Sequence, residues 1–345
     1  MAYISFHPKD YFKTFLYTGN STGRTFTDAG FQTDFVWIKD RGNSRDHMLF
    51  DAVRTATKDI HSNNDDSETT IADTLTAFTS NGFTLGTDAT ASSALVNGSS
   101  NNYVAWNWKA ANSSGSSNSN GSITSTVSAS TTSGFSIVKY TGTGSNATIG
   151  HGLGAVPEVI FVKKYNTTQA WRCGHVGQGW THGNNLNNNS AVYDSDTYWQ
   201  DTTPTTTVFS VGTDTEVNGS GATHIAYCFA EKRGFSHFGT YDGSSNADGV
   251  HVMCGFKPAW ILIKSTASST QWVMFDNKRG YNGSNGQLYA DANEVEGFAT
   301  SLDIVSNGFK LRATDNGVNT GHKYLYMAFA EEPFVASNGN PATAR

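Results

Sequence analysis

Apolar positions along this chain recur with the two-residue period of β-strands, and one succession of patterned segments occurs three times. Each succession opens on a strand that ends in a turn: Tyr17-Thr18-Gly19, Tyr140-Thr141-Gly142 and Tyr241-Asp242-Gly243. A glycine then leads an apolar run that ends in lysine: Gly30 to Lys39, Gly154 to Lys163 and Gly255 to Lys264. Next come Met48-Leu49-Phe50-Asp51 with Arg54, and Val273-Met274-Phe275-Asp276 with Arg279. The second copy departs here and offers Trp171-Arg172-Cys173-Gly174-His175. Ser80-Asn81-Gly82-Phe83 and Ser306-Asn307-Gly308-Phe309, matched more loosely by Thr207-Val208-Phe209, precede a closing strand at 103–108, 224–229 and 324–329.

Alternate side chains of a strand face opposite sides of its sheet. In the closing strand one face carries Val104, Trp106 and Trp108, matched by Ile225, Tyr227, Phe229 and by Leu325, Met327, Phe329. Matched bulk marks that face as the core face. The glycine-led strand is apolar on both sides (Phe35-Val36-Trp37-Ile38) and is expected in the middle, covered by sheet or by another domain. Pro157 and Pro258 stand at its start, where a missing N–H is tolerated. The fold expected is all-β, with three tandem divergent repeats, each an antiparallel β-sandwich or jelly-roll-like domain. Ala72–Phe78 could be a helical turn or two.

The repeats divide the chain into a first domain at 1–111, a divergent second at 134–232 and a third at 233–335. Residues 112–133 are almost all Ser, Asn, Gly and Thr, and read as a linker or extended arm. The second and third repeats meet at Lys232–Gly234 without a spacer, as a rigid pair would. A polar tail, 336–345, ends the chain.

Composition narrows the function. Charged residues make up 15% of the 345 positions and hydrophobic ones 37%, against about 25% and 45–50% in ordinary globular proteins. Aromatics at 12% and many Gly and Asn suit short strands and tight turns. A net charge of −6 with scattered basic residues gives no footprint for nucleic acid. No apolar stretch approaches a membrane span, and the start lacks a signal-peptide pattern, so synthesis and folding in a cytoplasm are expected. Cys173, Cys228 and Cys254 are too few and too widely spaced for a disulfide framework or zinc, and read as buried thiols.

The ten histidines form no metal or nucleophile motif. The acidic stretches Asn63–Glu68, Asp194–Asp196 and Asp291–Glu294 lack the alternation that a calcium loop requires and read as solvated loops. Asp51 and Asp276 recur in the first and third copies, but the second copy has His175 there, so a local ion pair with Arg54 and Arg279 explains them better than glycoside hydrolysis. The expectation is no catalytic residue, no metal and no cofactor. The second copy's aromatics among neutral polar neighbours are the candidate ligand or partner contacts: Trp171, His175, Trp180, His182, Tyr193, Tyr198 and Trp199. His182–Asn189, too polar for a core, is the candidate outward tip.

The order Tyr-Thr-Gly, then the glycine-led run with Phe-Val-x-Ile-Lys, then Ser-Asn-Gly-Phe-x-Leu, then Tyr-Val-Ala-Trp-x-Trp-Lys resembles a repeat domain of virion proteins in marine tailed bacteriophages. The endings Met327–Phe334 and Pro341–Arg345 are similar to the ends of such chains. The resemblance implies a β-rich virion component, tail-fibre-like or another appendage. With no catalytic motif in the residues, the function expected is a non-enzymatic, surface-exposed, tail-associated protein with a role in host-surface adhesion. Its partners would be other virion proteins, further copies of itself (a trimer by analogy) and a host surface glycan or protein, with no nucleic acid and no membrane insertion. A capsid decoration or cement protein is the alternative, and a soluble glycan-binding lectin a further one.

Overall fold

The glycine that leads each central strand sits at φ +76° (Gly30), +66° (Gly154) and +77° (Gly255), and no atom lies near where a Cβ would go. Backbone conformation, not space, requires glycine there, because side chains with a Cβ rarely adopt positive φ. Each turn feeds a central strand: Phe35–Asp40, Val159–Lys164 and Trp260–Ser265. The protein is seen here as a computed structural model that describes residues 7–89, 95–267 and 269–332. The tail 336–345 and the ending Pro341–Arg345 lie outside the described residues.

The all-β expectation holds, and the sheets are antiparallel. In each large sheet the opening strand pairs with the closing strand, the closing strand with the central strand, and the central strand with an outer strand. The opening strands are Phe12–Thr18, Phe135–Thr141 and Ser236–Asp242. The closing strands are Asn102–Trp108, Thr223–Phe229 and Lys323–Phe329. The outer strands are Met48–Asp51, Trp171–His175 and Val273–Asp276. A smaller sheet packs over each large one and makes it a sandwich, holding Phe26 and Phe83 in the first unit, Ile149 and Phe209 in the second, and Val252 and Phe309 in the third.

Both faces of every large sheet are buried along its central and closing strands, for different reasons. Tyr103, Ala105, Val36 and Ile38 face the first sandwich's own interior, as Ala226 and Ile160 do in the second and Tyr326 and Ile261 in the third. The bulky face (Trp106, Trp108, Tyr227, Phe229, Met327 and Phe329) instead enters one core shared by all three units. There Trp108 meets Trp260 edge to face at 5.5 Å, Phe35 lies 4.4 Å from Tyr227, and Phe229 and Phe329 pack at 5.8 Å. Each such side chain contributes roughly 1.5–3 kcal/mol by burial. Three sandwiches therefore surround a common aromatic centre.

Two segments differ from expectation. The Ser-rich stretch 112–133 is no extended arm: Ser116–Asn118 and Ser125–Ser130 add two strands to the second unit's large sheet, beyond its opening strand. Edge strands need backbone partners more than apolar bulk, and Val127 with Ile123 supplies the little burial required. Asp34 anchors the start of this segment, its carboxylate accepting from the N–H groups of Ala110 and Asn112. Within Ala72–Phe78, Leu75 onward is strand rather than helix, continuing to Thr79.

A repeated latch joins the two ends of each unit. The hydroxyls of Tyr17, Tyr140 and Tyr241 donate to the carbonyls of Val96, Val217 and Val318 at 2.6, 2.6 and 2.7 Å. The asparagine that follows, Asn97, Asn218 or Asn319, is buried and donates through its Nδ2 to two carbonyls of neighbouring loops. Its Oδ1 accepts a backbone N–H from the turn after the opening strand. Asn319→Ala strands those groups in the interior, so a loss of about 3 kcal/mol in urea unfolding is expected; a loss under ~0.5 kcal/mol would show that the latch does not hold the unit.

Candidate functional site

The residues that end the outer strands bind the units into a ring. Asp51 of the first unit accepts from the Tyr227 hydroxyl of the second at 2.7 Å. His175 of the second bonds through Nε2 to the Tyr326 carbonyl of the third at 3.1 Å. Asp276 of the third accepts from Trp106 Nε1 of the first at 2.9 Å. Trp106, Tyr227 and Met327 hold the same register against the central strands, and only methionine has no proton to donate. The second unit therefore places a donor, His175, where the others place an acceptor. Its ring must carry hydrogen on Nε2, because Nδ1 accepts from the Gly177 N–H at 2.9 Å.

The same exchange runs through the surrounding seam. In the first unit Arg54 bridges Asp51 at 2.5 Å and Glu68 at 3.3 Å; in the third Arg279 bridges Asp276 at 2.6 Å and Glu296 at 3.0 Å. The second unit has Gln178 in the arginine's place, donating to the Cys173 carbonyl as Arg54 does to Leu49 and Arg279 to Met274. Val192 stands where Glu68 and Glu296 stand: all three N–H groups reach the adjacent unit, at Thr266, Tyr165 and Arg41 respectively. Asp, Arg and Glu thus become His, Gln and Val together. Removing one partner of a buried ion pair costs about 3–5 kcal/mol, whereas replacing the whole set leaves no orphaned charge.

Each central-strand lysine is buried at a seam. Lys163 donates to the Asp65 carbonyl of the first unit at 2.9 Å, Lys264 to the Asn189 carbonyl of the second at 3.1 Å, and Lys39 to its own Asp40 carbonyl at 2.6 Å. Burial lowers each ammonium from its ordinary value to about 8. The carbonyl that receives Lys163 belongs to the acidic stretch Asn63–Glu68, and Glu68 belongs to the Arg54 cluster. Among the described residues no three His, Cys, Asp or Glu side chains gather where they could hold a metal ion. The three cysteines are buried and unpaired.

Most of the predicted contact residues prove to be interior. Trp171 lies in the shared core and donates to the His61 carbonyl of the first unit at 2.7 Å. Trp180, Tyr198 and Trp199 fill the second sandwich, with half-buried Tyr193 packed against them. The reason is Gly174, which occupies the place of Phe50 and Phe275: a Cβ there would lie 2.5 Å from the Trp180 ring and 3.0 Å from Trp199. The loop tryptophans replace the missing phenylalanine. Tyr198 also stacks under Arg172 at 4.6 Å, and Arg172 pairs with Glu216. His175 is fully buried in the ring described above.

The stretch His182–Asn189 is not an outward tip. Asn184 pairs with Cys173, Leu186 is buried, and the Asn185 carbonyl accepts from Trp272 Nε1 of the third unit at 2.9 Å. Its polar groups are satisfied by the neighbouring unit, which composition alone does not reveal. His182 is partly exposed and lines a cavity of about 300 Å³ with Gly177, Gln178, Val192, Thr266 and Lys323, at the seam of the second and third units. A second cavity of about 320 Å³ is lined by Gln271, Gln287, Tyr289 and Asp315 of the third unit among others, with Asn189 of the second. The Val-Asn latch and the ring partners Trp106 and Tyr227 were missed by sequence reasoning. Val96-Asn97, Val217-Asn218 and Val318-Asn319 do recur just before each closing strand, and that repeat was the available signal.

One family matches residues 7–333, spanning all three sandwiches; it is described as a domain of unknown function, DUF7483. The chain belongs to that family. No curated protein and no solved structure matches it. No helix among the described residues is long and apolar enough to cross a membrane.

Burial lowers the imidazole of His175 from its ordinary 6.5 to about 4. The folded chain then holds this ring neutral where the unfolded chain takes up a proton, so stability is lost as pH falls from 6.5 towards 4, by at most ~3 kcal/mol. His175→Gln preserves both bonds without titrating. Urea unfolding at pH 7 and pH 4.5 should show the wild type losing about 2–3 kcal/mol more than this variant; equal losses would place the buried titration elsewhere.

Proposed function

We propose that this DUF7483 protein is a non-enzymatic structural component of a tailed-phage virion, exposed at the surface as a tail-fibre-like or tail-associated protein that adheres to the host. The observation that carries the non-catalytic part is the use made of the repeated acids. Asp51 and Asp276 each accept two backbone N–H groups, an arginine Nε and a donor from the adjacent unit, which spends both carboxylates on holding the ring. The repeat motifs support the virion assignment through their resemblance to phage repeat domains. A low charge and three sandwiches locked around one aromatic core suit a rigid body mounted on a particle. Adhesion draws its support from the seam cavity lined by His182, a member of the predicted contact set.

Immunogold labelling tests the assignment, on tailed-phage particles from the genome that encodes this chain. Gold confined to the tail is expected. Gold over the head would make the chain a capsid decoration protein, and particles without gold would overturn the virion reading.

A further inference from the structure

Three seams join the three units, and the one between the second and third is chemically unlike the others. In the first seam the equivalent positions hold Arg54, Lys58, Glu68, Tyr165 and Thr223, and Glu68 takes ion pairs from Arg54 at 3.3 Å and Lys58 at 3.6 Å. In the seam of the third and first units Glu296 takes them from Arg279 at 3.0 Å and Arg41 at 2.7 Å. Every seam of that kind centres on a carboxylate. The remaining seam has Gln178, His182, Val192, Thr266 and Lys323 at those positions, and there the cavity of about 300 Å³ opens. Valine replaces the carboxylate, threonine replaces tyrosine or arginine, and Lys323 adds a cation where the other closing strands begin with Thr223 and Asn102.

Lys323 is exposed, and among the described residues no carboxylate lies within ion-pair distance of it. Asp242 stands opposite it in the strand register but makes no ion pair with it. The neutral groups around it keep hydrogen-bonding capacity. Thr266 gives its proton to the Lys323 carbonyl at 3.0 Å, which leaves its oxygen as an acceptor, and the His182 ring is engaged only at Nδ1, by Thr181 at 2.7 Å. Val192 offers the single apolar wall. The volume is at the low end for ligand pockets, enough for one small ring.

The geometry points to a binding site for a carboxylate-bearing saccharide of the uronic-acid kind, whose carboxylate takes the place that Glu68 and Glu296 fill in the other seams. Lys323 supplies the charge-assisted bond, Thr266 and His182 meet hydroxyls, and Val192 lies against the apolar face of the sugar ring. This names a ligand class for the adhesion reading and rests on that reading for its biological use.

The test is calorimetric titration of the full chain with glucuronic acid, glucose and acetate. Saturable binding of glucuronic acid is expected, with glucose and acetate each at least tenfold weaker. Lys323→Gln and Val192→Glu, the second supplying an internal carboxylate, should each weaken glucuronic acid at least tenfold. Lys278→Gln, at the place equivalent to Gly177, should leave it unchanged. Absence of glucuronic acid binding, or binding indifferent to both seam variants, would overturn the site. Acetate binding as tightly as glucuronic acid would overturn the saccharide. Gold on tails without glucuronic acid binding would sink the site alone; binding by a chain absent from particles would sink the virion reading alone.

Discussion

The structure depends on the shared aromatic core. In each sandwich one face of the large sheet turns away from the unit's own smaller sheet, and that face carries Trp106 and Trp108, Tyr227 and Phe229, or Met327 and Phe329. Such a face is unstable in water unless another surface covers it. Here the other two sandwiches cover it, so each unit completes its neighbours' interior. The hydrogen bonds of Asp51, His175 and Asp276 then fix the relative orientation that burial alone leaves loose.

Ring closure explains how the second unit could diverge so far. Its seam residues changed as a set, with donor exchanged for acceptor at His175 and three charges removed at once, so His175 and Gln178 both keep partners. Its sandwich changed as a set too: Gly174 made room and Trp180 and Trp199 took it. What did not change is the frame of central lysine, opening tyrosine and latch asparagine. Divergence gathers at the seam whose closing strand begins with Lys323, which is where the cavity lies.

Much of this was legible in the sequence, for reasons that are local. The glycine-led strands could be placed at the centre because apolar residues on both faces leave no alternative, and the Tyr-Thr-Gly turns and closing strands followed from periodicity. What stayed hidden was non-local. The Ser-rich strands 116–118 and 125–130 carry too little apolar signal to distinguish an edge strand from a linker. His182–Asn189 looked like a surface tip because the groups that satisfy it, Trp272 and Lys264, come from another unit. The aromatics of the second copy looked available for ligands because nothing in the sequence tells that Gly174 stands where a core phenylalanine belongs.

The central claim is that the three units share one core and stand or fall together, and native-state hydrogen exchange on the full chain tests it most directly. The amides of the three central strands, Phe35–Asp40, Val159–Lys164 and Trp260–Ser265, should exchange last and with one common free energy of opening. One unit opening at a free energy several kcal/mol below the other two, which remain protected, would contradict the shared core and reduce the ring to three domains in contact.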